Sequence, residues 1–112
     1  MISKELFEEI IGYNIKDLNM TKDYPDNVVW STANYKGSSP YCKAINIHEL
    51  ANKCKEWALT KDYHLTSYIN LIDGLKVWEC NTMFDHEEIF KATSEPEAIF
   101  LACQWVLNKK DN

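Results

Sequence analysis

Apolar residues recur at helical spacing in three stretches of this chain, and a pair of alternating stretches lies between the second and third. Residues 3–12 predict a first helix: Ser3 is placed to cap it, Leu6, Phe7, Ile10 and Ile11 form its stripe, and Gly12 is a natural stop. The second helix is marked more strongly. Asn46 with Glu49 three residues on makes a capping box, and Ile45 with Leu50 a hydrophobic staple. Ile47, Leu50, Ala51, Cys54, Trp57 and Ala58 then recur on one face, Lys53, Lys55 and Glu56 take the other, and the helix should end near Thr60. The third begins at Ser94-Glu95-Pro96-Glu97, a capping box with Pro in the first turn, and buries Ile99, Phe100, Cys103, Val106 and Leu107.

Asp73-Gly74 is a two-residue hairpin signal. With that turn, Leu71 faces Lys76, Ile69 faces Trp78, Ser67 faces Cys80 and Leu65 faces Thr82. The register puts Leu65, Ile69, Leu71, Trp78 and Cys80 on an apolar face. His64, Thr66, Tyr68 and Asn70, with Val77, Glu79 and Asn81, take the other, mostly polar one. A third strand is expected at 88–93, after a turn at Asp85-His86-Glu87. Residues 13–44 are less legible: Tyr24-Pro25-Asp26-Asn27 and Lys36-Gly37-Ser38-Ser39-Pro40 are turn chemistry, with a short strand at Val28, Val29 and Trp30 between them.

The expected fold is a single α+β domain over 1–112: a three- to four-stranded, mainly antiparallel meander with the second and last helices packed on it. The first helix and the segment 13–44 are expected to cover or flank the other face. The core should contain Leu50, Cys54, Trp57, Leu65, Ile69, Trp78, Cys80, Phe100, Cys103 and Leu107. At 46% hydrophobic residues, with four Trp, six Tyr and four Phe, a core of this kind can be filled.

Charge narrows the partners. Seventeen acidic residues against twelve basic ones give −5, and all twelve are Lys. Without Arg forks and without clustered positive charge, direct nucleic-acid binding is not expected. A basic protein surface, or mimicry of nucleic acid, suits such a chain better, while the plainer reading of the charge is a solvated acidic surface that keeps the protein soluble. The N-terminal residues lack a signal-peptide layout and no run reaches the length of a membrane span, so the chain is expected to stay in the cytoplasm, with its cysteines reduced.

Candidate chemistry is sparse. Phosphate-binding glycine loops are missing, and no CxxC or HxxxH spacing supports a metal. Cys54, Cys80 and Cys103 fall on inward faces and read as small hydrophobes. Cys42 with His48 is the one Cys–His pairing outside that pattern, and His86 sits in an acidic turn. Neither a catalytic residue, a cofactor nor a metal is therefore expected. The leading surface is the outer sheet face, with His64, Thr66, Tyr68, Asn70, Glu79 and Asn81 as partner-binding residues around a central Tyr. The acidic face of Glu5, Glu8 and Glu9 is the reserve candidate.

The order of landmarks, Leu6-Phe7-Glu8-Glu9-Ile10-Ile11-Gly12-Tyr13, Ser39-Pro40-Tyr41 before the second helix, a Trp-bearing hairpin, and Glu95-Pro96-Glu97-Ala98-Ile99-Phe100-Leu101-Ala102-Cys103, resembles small phage and prophage proteins of the phage α-β-α sandwich domain type. The segment 15–36 departs from that pattern. The resemblance implies a phage or mobile-element origin and a sheet with helices on both faces; the family has no known function, so it implies no catalytic residues. The expected function is that of an accessory protein that binds and inhibits a host protein, in the manner of anti-CRISPR or other counter-defence proteins. A small-ligand (nucleotide) binder and an interaction module without inhibitory role are the alternatives.

Overall fold

The computed structural model describes residues 1–20, 22–32, 42–83 and 88–109, the side chains of Cys42 and Met83 excepted. The helices begin and end where the sequence placed them. Helix α1 (Lys4–Ile11) starts on Ser3, whose Oγ accepts from the Leu6 N–H at 3.1 Å. It stops at Gly12, which takes φ +87° and donates to the Glu8 carbonyl at 2.9 Å. A side chain would be strained in that left-handed conformation. Helix α2 (Ile47–Thr60) is capped by Asn46, whose Oδ1 accepts from the His48 N–H at 2.9 Å. Helix α3 (Glu95–Lys109) starts after Ser94, which receives the Glu97 N–H on its hydroxyl.

Strands form two three-stranded antiparallel sheets rather than one. The first is β1 (Ile15–Met20), β2 (Asn27–Thr32) and β3 (Cys42–Asn46), in that order. The second is β4 (His64–Ile72), β5 (Leu75–Met83) and β6 (Glu88–Ala92), also in chain order. The β4–β5 register is the one read from Asp73-Gly74, with Leu65 opposite Thr82, Ser67 opposite Cys80, Ile69 opposite Trp78 and Leu71 opposite Lys76. Asp73 and Gly74 both have positive φ, 51° and 80°, as a type I′ turn requires. Nothing lies within 4 Å of a Cβ built on Gly74. Gly74→Ala should therefore cost backbone strain alone, about 1–2 kcal/mol, readable as a lower denaturation midpoint at unchanged m-value.

The segment 13–44, expected to cover or flank the meander's other face, is in its described part a sheet of its own. Its described part is the sheet β1–β2–β3, and this sheet packs against α1 and leads directly into α2. Trp30 seats it: the indole meets Phe7 edge-on at 5.0 Å between centroids and donates to the Tyr13 hydroxyl at 3.1 Å. The Glu8 carboxylate accepts from the Ile15 N–H at 2.7 Å, and the Ile47 N–H reaches the Asp26 carbonyl at 2.6 Å. Both bonds tie the sheet to a helix terminus.

One continuous core joins the two sheets, running from Phe7, Val28 and Trp30 through Leu50 and Cys54 to Leu65, Cys80, Phe100 and Cys103. Trp57, Trp78 and Leu107 are half-buried against it. Ile69, expected inside, is 48% exposed, because the hairpin outruns its helical cover: β6 pairs with β5 only from Trp78 to Thr82, while β4 and β5 continue to the turn.

Candidate functional site

Helices α2 and α3 pack on one face of β4–β5–β6. That face carries the buried Leu65, Cys80 and Thr82. Its half-buried polar centre is Ser67, which accepts from the Lys55 ammonium at 2.9 Å and donates to the Glu95 carboxylate at 3.1 Å. Lys55, placed by periodicity on the solvent side of α2, thus turns inward to meet the sheet. With its hydroxyl engaged on both sides, Ser67 straps the sheet to both helices.

The opposite face of this sheet bears the sequence-predicted site. His64, Thr66 and Asn70 are exposed, Tyr68 is 36% exposed, and Asn81 is half-buried. Glu79 differs from expectation: on the central strand between Tyr68 and Lys91 it is only 4% exposed. Asn70 Nδ2 donates to one of its oxygens at 3.0 Å, and the Tyr68 hydroxyl lies 3.5 Å from the other. Glu79 therefore accepts from Asn70 on the neighbouring strand and lies beside the Tyr68 hydroxyl. Helix α1 packs on α2, α3 and β1, so it does not bury this face.

The face brings together an aromatic ring, amides, hydroxyls and an imidazole on one sheet surface. Such a surface can offer directional hydrogen bonds and one aromatic contact. Ile89, 46% exposed on the neighbouring strand, adds apolar area that sequence reasoning overlooked; its pairing with Asn81 was the available signal.

The reserve acidic face is a concavity of about 490 Å³ lined by Glu5, Glu8, Glu9, Gly12, Tyr13 and Asn14. One of its acids, Glu8, is engaged by the Ile15 N–H at 2.7 Å. The loop at Lys36-Gly37-Ser38-Ser39, His86 and the Cys42 side chain lie outside the described residues.

The inward cysteines are completely buried, and Cys103 Sγ donates to the Cys54 carbonyl at 3.4 Å. Burial first, then the neighbouring Cys103, pushes the Cys80 thiol up to about 12. Hydrogen bonding with Cys54 first, then burial, raises Cys103 as well. Thiolate is the reactive form, so Cys80 and Cys103 should resist alkylation at pH 8 in the native protein, and burial alone should shield Cys54; all three should react on unfolding. Protection is read by mass spectrometry; rapid native labelling of Cys80 would contradict the packing role. Among the described residues no group of three or more His, Cys, Asp or Glu side chains is placed to hold a metal ion, and no described helix is long and apolar enough to cross a membrane.

No protein-family model, curated protein or solved structure matches this chain.

Proposed function

We propose that this protein is a non-enzymatic accessory module that binds a host protein through the outer face of β4–β5–β6 and blocks it. The observation that carries the reading is the uncovered face itself: the described helices that pack on this sheet sit on its other side, and Tyr68 is left exposed beside the buried Glu79. A net charge of −5 without Arg favours a partner with a basic surface. The same features fit a counter-defence inhibitor encoded by a phage or mobile element, acting in the cytoplasm of the host cell on a protein or protein complex rather than on nucleic acid.

Affinity capture from bacterial lysate with three immobilised proteins tests it: wild type, Tyr68→Ala, and Glu5→Gln/Glu9→Gln. A partner retained by wild type and by the α1 variant should be weakened roughly 30-fold by Tyr68→Ala, the effect of losing a central aromatic anchor. Equal capture by all three would remove the face from consideration.

A further inference from the structure

Tyr63, Phe90 and Trp105 come from different parts of the chain and meet in one cluster. Tyr63 precedes β4, Phe90 is on β6 and Trp105 on α3. The Tyr63 and Trp105 rings stand edge to face, 5.4 Å between centroids and 84° between planes. Phe90 lies 6.1 Å from Trp105 at 56°. A Schellman motif at the end of α2 fixes the approach of Tyr63. Its N–H reaches the Ala58 carbonyl and the Asp62 N–H the Leu59 carbonyl, both at 3.0 Å, with Asp62 at φ +68°. Onto this cluster the chain lays a cation of its own. Lys109 Nζ sits over the Trp105 ring, 4.5 Å from its centroid, well inside the ~6 Å range of a cation–π contact.

We propose that this cluster is a binding site for an organic ammonium group, methylated as in trimethyllysine or choline, which takes the place that Lys109 holds. Tyr63 and Lys109, both in contact with Trp105, also line a concavity of about 420 Å³ together with Thr60, Lys61, Asp62 and Val106. Thr60 closes α2, and Lys109 lies in the last turn of α3. Both helices therefore bring the negative ends of their dipoles to the concavity, which favours a cation. Asp62 adds a carboxylate to the lining, and the net charge of −5 draws cations from further away. Lys61 is the lining charge that opposes a cation once the Lys109 ammonium has moved out.

Lys109 is a placeholder rather than a lock. It is exposed and lies one helical turn beyond Trp105, so it reaches the ring without any tertiary constraint. An exposed pair of this kind contributes a factor of only roughly two to five. A methylated ammonium is the stronger occupant, because its charge is spread over methyl groups that hold water weakly and cover more of the ring. Aromatic clusters are the usual means by which such groups are recognised. The site is distinct from the outer face around Tyr68: Phe90 pairs with the buried Cys80, on the side of the sheet where the helices pack.

Titration of the isotope-labelled full chain, read by NMR at the indole N–H of Trp105, tests the proposal; Trp105→Phe assigns the signal. Choline chloride in a millimolar series should shift it saturably, and the uncharged tert-butyl isostere of choline should not. Lys109→Gln should tighten choline binding roughly two- to fivefold. Lys53→Gln, an equal change of charge at an exposed position on α2, should leave it unchanged. A blocked trimethyllysine that binds more tightly than choline supports a protein side chain as the source of the group, and the reverse order supports a free small molecule. A Trp105 signal that choline does not move in Lys109→Gln, an equal shift with the neutral isostere, or a shift with inorganic phosphate instead, overturns the proposal.

Discussion

Truncating Trp30 to alanine is expected to lower the unfolding free energy by about 3–5 kcal/mol, the range for a large aromatic side chain removed from a core. Trp30 is 8% exposed, and its loss would leave Phe7 without its edge-on neighbour and the Tyr13 hydroxyl without the indole donor. It is the side chain through which the first sheet meets α1. Trp30→Phe should recover most of the packing and leave a deficit of about 1 kcal/mol for the lost hydrogen bond. Urea titration followed by circular dichroism gives both values. A Trp30→Ala protein of near wild-type stability would mean that the first sheet is held elsewhere.

Phe100→Ala is expected to cost a similar ~3–5 kcal/mol, from a position on α3 in the same core. Phe100 is 3% exposed on α3, inside the cluster that also contains Leu50, Cys80 and Cys103. The pair of substitutions is informative because buried residues from both sheets belong to one core. Each should shift a single cooperative transition, with intrinsic fluorescence and circular dichroism coinciding. If Trp30→Ala separates the two signals while Phe100→Ala does not, the first sheet unfolds as its own unit.

These expectations also mark what the residues revealed beforehand. Capping boxes at Asn46 and Ser94, the Gly12 stop and the Asp73-Gly74 turn are local chemistry, and local chemistry is readable without knowing the fold. The β4–β5 register followed from the turn and one alternation alone. The first sheet was reduced to a short strand at Val28–Trp30 because β1, Ile-Lys-Asp-Leu-Asn-Met, shifts register between Ile15 and Asp17, which breaks its period of two. Strand β2 buries two neighbours in a row, Trp30 and Ser31, which hides its alternation as well.

Two site-level differences have a common origin. Alternation assigns a residue to a face, but it does not say how far along the strand that face is covered. Ile69 and Leu71 therefore fell on the core face by parity, yet they lie beyond the helices and remain in solvent. Glu79 fell on the polar face by the same parity, yet its place on the central strand, under Asn70 and Tyr68, buries it. The change matters for the site. A carboxylate expected to be exposed to a partner is instead buried, accepting from Asn70 and lying beside the Tyr68 hydroxyl.

The direct test of the outer face is contact mapping in the presence of a captured host partner. A photo-crosslinking amino acid replaces Thr66, exposed two residues before Tyr68 on β4, or Glu5, exposed on α1. Crosslinks from position 66 and none from position 5 are the predicted result. Crosslinks confined to position 5 would contradict the account and move the binding surface to the acidic face of α1.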